Sequence, residues 1–273
     1  MSRISQCFEK LKTDGQTALI PYITAGDPEP WVTVPLLHAL VDAGADIIEL
    51  GIPFSDPMSD GPVIQKACER ALKNDVSIKS VLTMVKKFRE KNTETPIVLM
   101  GYANPIEAVG YAEFAKLAQE AGVDGVLTVD VPPEESVEFR EIMDQHDIDT
   151  IYLVAPTTSA ERMSMIASFA RGFIYYVSIK GVTGSASLDV TEVNDKLSML
   201  RERTDLPLGV GFGIRDGKSA AAVAEIADAV VVGSTLVKCI EEHAQRLEEL
   251  PVAVAGLLAE MRHAINARDL AKA

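Results

Sequence analysis

The sequence predicts a closed, parallel (β/α)8 barrel with extra helices, and three observations carry that expectation. Eight short apolar runs rich in β-branched residues recur along the chain without strict polar alternation, as in strands covered on both faces. Each run is followed by a stretch of helical periodicity, the arrangement that lays successive strands side by side and parallel. No Gly-, Ser- or Pro-rich linker and no shift in composition divides residues 1–273, so the whole chain reads as a single barrel domain.

The first run, Ala18 to Ile23 (ALIPYI), precedes a helical pattern from Trp31 to Asp42. Asp46 to Leu50 (DIIEL) is followed by Ser77 to Lys91, Ile97 to Gly101 (IVLMG) by Tyr111 to Ala121, and Asp124 to Val129 (DGVLTV) by Glu134 to Gln145. In the second half, Ile148 to Val154 (IDTIYLV) pairs with Ala160 to Ala170 and Phe173 to Ser178 (FIYYVS) with Val190 to Arg203. Leu206 to Val210 (LPLGV) pairs with Gly217 to Ile226, and Asp228 to Val232 (DAVVV) with Thr235 to Glu249. Pro62, after Gly61, has the character of a first helical residue. A last amphipathic helix is expected from Val252 to Ala267, after a break at Pro251. An open doubly wound sheet would show the same alternation. Against it, the first strand–helix turn, TAGDPEP, lacks the G-x-G-x-x-G fingerprint.

With 26 basic and 40 acidic residues the net charge is −14. That field repels phosphate polyanions and argues against nucleic acid and anionic membranes as partners. Cys7, Cys68 and Cys239 are far apart and odd in number, which fits free thiols in a reducing compartment. The N-terminal MSRISQCFEKLKTDG has no apolar h-region, and no apolar stretch approaches the ~18 residues of a membrane span. A cytoplasmic location is expected.

In such a barrel, chemistry sits on the loops that follow the strands. The longest early loop, ELGIPFSDPMSDGP, places Glu49 at a strand end and Asp56 and Asp60 beyond it. An isolated aspartate in such a loop reads as a turn residue. A glutamate that ends an otherwise apolar strand reads as functional, since a rigid, partly desolvated carboxyl suits acid–base work. Three late loops are glycine-rich: SIKGVTGS from Ser178, GFGIR from Gly211 and GST from Gly233. Each alone is an ordinary tight turn. Together, after adjacent strands, they favour a phosphate site built from backbone N–H groups. His38, His146, His243 and His263 all fall on helical stretches away from strand ends, which removes His-metal sites and Ser-His-Asp triads. Asp56 and Asp60 holding Mg²⁺ with a substrate phosphate is the minor alternative. No lysine lies inside a strand run, which argues against a strand-borne Schiff base.

The runs PYITAGDP (21–28), ELGIPFSDPMSDGPVIQ (49–65), GYANPI (101–106), GVDGVLTVDVPPEE (122–135), YYVSIKGVTG (175–184), GVGFGI (209–214) and VVVGS (230–234) resemble the tryptophan synthase α subunit family, in order and over nearly the whole chain. The resemblance implies a lyase of tryptophan biosynthesis that cleaves indole-3-glycerol phosphate to indole and glyceraldehyde 3-phosphate. It also implies an α2β2 complex in which indole passes to a pyridoxal-phosphate-dependent β subunit, with no cofactor or metal in this chain. By the same resemblance Glu49 and Asp60 are catalytic, and Tyr22, Met100, Leu127, Leu153, Tyr175, Thr183 and Phe212 line the indole pocket. Gly184, Gly213, Gly233 and Ser234 match the phosphate cradle, and Asp56, Asn104 and Pro132 the β-subunit contact. Two departures stand out: Ser59 and Thr235 occupy positions where the family commonly has alanine. The rival readings are another phosphate-binding barrel enzyme, such as a sugar-phosphate epimerase or isomerase, and a non-catalytic regulatory barrel. A metal-dependent epimerase would want histidines at strand ends, and intact Glu49 and Asp60 argue against lost catalysis.

Overall fold

Eight parallel strands close on themselves in sequence order, β1 (Ala18–Thr24), β2 (Ile48–Gly51), β3 (Ile97–Gly101), β4 (Gly125–Thr128), β5 (Asp149–Val154), β6 (Ile174–Val177), β7 (Leu208–Gly211) and β8 (Ala229–Val232). The seam pairs Ala18 with Ala229 and Pro21 with Val232. The structure, a computed structural model, describes residues 1–177, 190–211 and 213–272. Around the ring lie α1 (Arg3–Thr13), α2 (Pro30–Asp42), α3 (Pro62–Leu72), α4 (Ile78–Arg89), α5 (Ala103–Val109) and α6 (Tyr111–Ala121). They continue with α7 (Val137–Gln145), α8 (Ala160–Phe169), α9 (Val190–Arg201), α10 (Gly217–Ala224), α11 (Ser234–His243) and α12 (Leu250–Lys272).

The period-2 alternation of each strand sorts its side chains into two cores. Ile20, Val98, Leu127, Ile151, Phe173 and Val231 fill the barrel interior. Their chain neighbours Leu19, Leu99, Val126, Tyr152, Ile174 and Val230 pack outward under the helices. The interior is stoppered by α1, a helix the sequence reading did not anticipate. Ser2 caps it by accepting the Ser5 N–H, and Ile4, Phe8 and Leu11, spaced by four and three, enter the interior cluster.

Six expected strands began one or two residues too early, three of them at an aspartate. Asp46, Asp124 and Asp228 precede β2, β4 and β8 instead of opening them. Their carboxylates accept backbone N–H groups at the start of the neighbouring strands: Asp46 from Leu19 at 2.8 Å, Asp124 from Ile97 at 2.7 Å and Asp228 from Leu208 at 2.8 Å. They act as hydrogen-bonding pegs on the rim opposite the strand C-ends. The expected helix from Glu134 splits into a 3-10 turn (Pro133–Glu135) and α7, because the Ser136 hydroxyl turns back to Pro133 O and meets the Tyr152 hydroxyl. The helix expected to run on to Glu249 stops at His243, where the Ala244 N–H closes a tight turn on Glu241 O. Pro251 is no break. It lies in the first turn of α12, where a missing N–H costs nothing. The short α5 within GYANPI was also unforeseen.

Asp124 is the most heavily used peg. Besides Ile97 N–H it binds Arg3 at 2.6 Å and Arg89 at 2.7 Å, and it is itself buried. Asp124→Ala would strand the buried Arg89 guanidinium, and we expect a loss of ~3–5 kcal/mol, as for a broken buried ion pair. Urea unfolding of the variant checks this, and an unchanged midpoint would show the pairing to be incidental.

Candidate active site

At the C-terminal mouth of the barrel lies a cavity of about 500 Å³, walled mostly by apolar side chains. Tyr22, Met100, Leu153 and Tyr175, at the upper ends of β1, β3, β5 and β6, form its sides. Glu49 and Asp60 both open into it, and Gly213, Gly233 and Ser234 bound it on the side of β7 and β8. Leu127 is fully buried in the interior cluster that Met100, Leu153 and Tyr175 pack against, and is not part of the wall; Val129, two residues on, takes that place. Val129, Val177 and Val231 also line the cavity, and all three follow from continuing the inward alternation by one more step. Thr183, Gly184 and Phe212 lie outside the described residues.

Two glycines let the tyrosines lie across the mouth. A Cβ on Gly211 would sit 2.0 Å from the Tyr175 hydroxyl, and one on Gly51 2.2 Å from that of Tyr22. Burial holds both phenols neutral, well above their ordinary range. The Tyr22 hydroxyl is 3.2 Å from Thr24 Oγ1.

Glu49 is the singular group. It occupies the inward register of β2, is 2% exposed, and its Oε1 has no hydrogen-bond partner. Burial first, and the nearby Asp60 charge second, push its carboxyl up to about 8. Near neutral pH it therefore holds a proton in the cavity wall. Asp60, on the loop before α3, is half-buried, which raises its carboxyl, while the Tyr102 hydroxyl donates to Oδ2 at 3.0 Å and favours the anion. The two carboxyls thus stand in different electrostatic settings.

Tyr102 is the functional residue that sequence reading missed. It sits one position beyond β3, stacks on Phe54 at 5.2 Å between ring centroids, donates to Asp60 and accepts the Ser59 N–H at 3.0 Å. Its only signal was a polar aromatic just past a strand end. Ser59 meets Tyr102 through its backbone N–H, and its side-chain hydroxyl, which an alanine would lack, also bears on the Tyr102 phenol. The other departure has a visible effect: the Thr235 hydroxyl donates to Ile214 O at 2.8 Å and ties the first turn of α11 to the loop after β7.

Asp56 is exposed on the loop after β2, Asn104 is exposed on α5, and Pro132 leads the turn after β4. They share the mouth side of three successive units, outside the cavity. Asp130 links two of these loops by accepting the Ala103 N–H at 2.9 Å. Among the described residues, no three His, Cys, Asp or Glu side chains are grouped to hold a metal ion.

Residues 8–266 match the family model described as the tryptophan synthase alpha chain. The tryptophan synthase alpha chain of Thioalkalivibrio sulfidiphilus is 60% identical over 266 residues, 97% of this chain and 100% of that one. That of Nitrosococcus oceani is 57% identical over 269 residues, covering 98% and 99%. Among solved structures, tryptophan synthase subunit alpha from Legionella pneumophila superposes with a TM-score of 0.92 at 48% identity, over 98% of this chain and 99% of the other. A tryptophan synthase complex from Pyrococcus furiosus contains a chain 38% identical with a TM-score of 0.80, over 91% and 99%. A family model matched over residues 8–266, relatives 57–60% identical along nearly the whole chain and a solved barrel that superposes over 98% of it place the chain in the tryptophan synthase alpha chain family.

Proposed function

We propose that Glu49 and Asp60 carry out the α reaction of this family, the lyase step of tryptophan biosynthesis that splits indole-3-glycerol phosphate into indole and glyceraldehyde 3-phosphate. The observation that carries the assignment is Glu49 itself: a buried, unpartnered carboxyl that keeps its proton near neutrality and opens into an apolar cavity.

Breaking the bond between indole C3 and the glycerol C3′ needs a proton at C3 and loss of the proton on the 3′-hydroxyl. Protonated Glu49 delivers the first, which turns the ring into an indolenine cation. The carboxylate left behind accepts the hydroxyl proton as the C–C electron pair returns to the ring and C3′ becomes the aldehyde. Glu49 ends as it began. The Asp60 carboxylate accepts the indole N–H and offsets the positive charge of the cation, and the Tyr102 hydroxyl donates to it, which favours the anion against the effect of burial and aims the group. Tyr22, Met100, Leu153 and Tyr175 enclose the indole. The phosphate rests on Gly213 after β7 and on Gly233 and Ser234 at the start of α11, with Gly184 as a further family position of the cradle and Thr183 and Phe212 as further family positions of the indole pocket.

We also take the pyridoxal-phosphate-dependent β subunit as partner, contacted through Asp56, Asn104 and Pro132; this chain needs no cofactor of its own. Met58, 84% exposed between Asp56 and Asp60, supports a covered surface at that loop. A cytoplasmic site fits the free cysteines and the lack, among the described residues, of a helix long and apolar enough to cross a membrane.

Glu49→Gln is expected to lower kcat by ~10²–10⁴-fold while substrate still binds. In the unmodified enzyme kcat/KM should fall as pH rises through about 8, where Glu49 loses the proton it must donate. Indole release measured across pH reads both, and a variant within a few-fold of the parent would move the proton carrier elsewhere.

Tyr102→Phe should cut kcat by ~10-fold, the loss of a hydrogen bond to a charged group, and Asp60→Asn by ~10²-fold or more. If either variant raised KM and spared kcat, Asp60 would be a binding residue.

A saturating β subunit should accelerate indole release by holding the Asp60 loop closed, and Asp56→Ala should blunt that acceleration while sparing the slower rate of the free chain. Equal rates with and without the β subunit would show the free loops to be already organised.

A further inference from the structure

Behind the wall of the cavity a single guanidinium joins three units of the barrel. Arg70, on α3, forks onto both oxygens of Asp27, Nε to Oδ1 at 2.6 Å and Nη2 to Oδ2 at 2.9 Å. Its remaining arm, Nη1, reaches Glu241 Oε1 on α11 at 3.2 Å. The Asp27 side chain is fully buried and that of Arg70 19% exposed, so water competes little for this cluster. Lys66 adds a longer contact from α3 to the same Glu241 oxygen, at 4.0 Å.

The stripes on which these residues lie give the cluster its leverage. Val63, Ala67 and Arg70 follow one face of α3, and Ser234, Val237 and Glu241 one face of α11. Ala67 and Val237 pack together against Tyr22 of β1, with Val63, Ile64 and Met100 beside them. Two turns up the same stripes, ~10 Å along each axis at 1.5 Å per residue, stand the two helix starts. That of α3 is preceded by Asp60, whose carbonyl accepts the Gln65 side-chain amide at 2.8 Å, and that of α11 carries Gly233 and Ser234.

We propose that Arg70 is a positioning residue for the reaction: held by Asp27 and Glu241, it locks α3 to α11 and so sets the separation between the Asp60 carboxylate and the phosphate cradle. The proposal rests on the phosphate and acid–base reading given above. A substrate carrying its indole and phosphate on one short tether must satisfy both ends at once. Fixing their separation in advance stores the orientation that binding would otherwise have to impose. Arg70 touches neither end of the substrate. A lysine cannot replace it, because one ammonium on a flexible stem cannot hold three oxygens in a fixed fork.

The test compares Glu241→Ala, which cuts only the ties to α11 at a partly exposed site, with Arg70→Lys. Calorimetry gives dissociation constants for indole, for glycerol 3-phosphate and for an indole joined to a phosphate through a three-carbon chain; turnover of indole-3-glycerol phosphate gives kcat and KM. For both variants each fragment should bind within ~2-fold of the parent protein, whereas the tethered ligand weakens ~10-fold and kcat/KM falls ~10- to 100-fold, as for a displacement of about 1 Å between binding groups. Unchanged affinity for the tethered ligand, or an equal weakening of fragments and tethered ligand, overturns the proposal. Gly233→Val serves as the control on the cradle. If it leaves glycerol 3-phosphate affinity unchanged, the phosphate reading fails and takes this proposal with it; if it abolishes that affinity while Glu241→Ala does not, the anchor stands and the lock is tested alone.

Discussion

A ring of eight parallel strands has one interior register per strand, and every side chain in that register competes for a narrow, dry volume. Leucine, isoleucine, valine and phenylalanine fill most of it. Glu49 stands in the same register, one step above Ile47, and it is there that the barrel departs from an ordinary apolar core. Water that would solvate an anion is excluded by Tyr22, Met100 and Tyr175, so the carboxyl holds its proton. The tyrosines in turn fit only because Gly51 and Gly211 leave room for their hydroxyls. The acidity of the site is therefore a packing property, set by neighbours that do no chemistry.

The two ends of the barrel divide the work. At one rim, Asp46, Asp124 and Asp228 peg neighbouring strands through backbone N–H groups and engage arginines, while α1 closes the hole. These carboxylates, of which Asp124 is buried and the other two partly so, are each paired with an arginine and serve the architecture. At the other rim, Glu49 Oε1 is unsatisfied and Asp60 is held by one tyrosine. Unmet hydrogen-bonding capacity beside a cavity is what a substrate can use.

The sequence exposed the barrel because its signal is repeated eight times, and small errors at strand ends do not disturb the count. It left α1 unmarked because Ile4, Phe8 and Leu11 form only a thin apolar stripe in an otherwise mostly polar segment. The three early aspartates were absorbed into strands since periodicity carries no information about a carboxylate that bonds sideways to the next strand. Glu49 was legible as a charge ending an apolar run, and the glycines as a joint feature of late loops. Tyr102 was not legible by spacing, because its role arises from loops after two different strands meeting in space. Nor was the state of Glu49, which depends on walls contributed by residues far away in the chain. Leu127 belongs to the right register but the wrong layer, and depth within a barrel is not written in a local pattern.

The seam between β1 and β8 joins residues 18–21 to residues 229–232. During synthesis, β1 emerges early as an apolar run, ALIPYIT, buried along its whole length in the finished barrel. Its β2 side can be paired soon, but its other edge must wait until more than two hundred further residues have left the ribosome. Through that interval the strand presents unpaired N–H and C=O groups and an uncovered apolar surface, the features that invite association with other chains. The closure that dries the active site thus sets a lower bound on how much chain must exist before any of it is safe from aggregation.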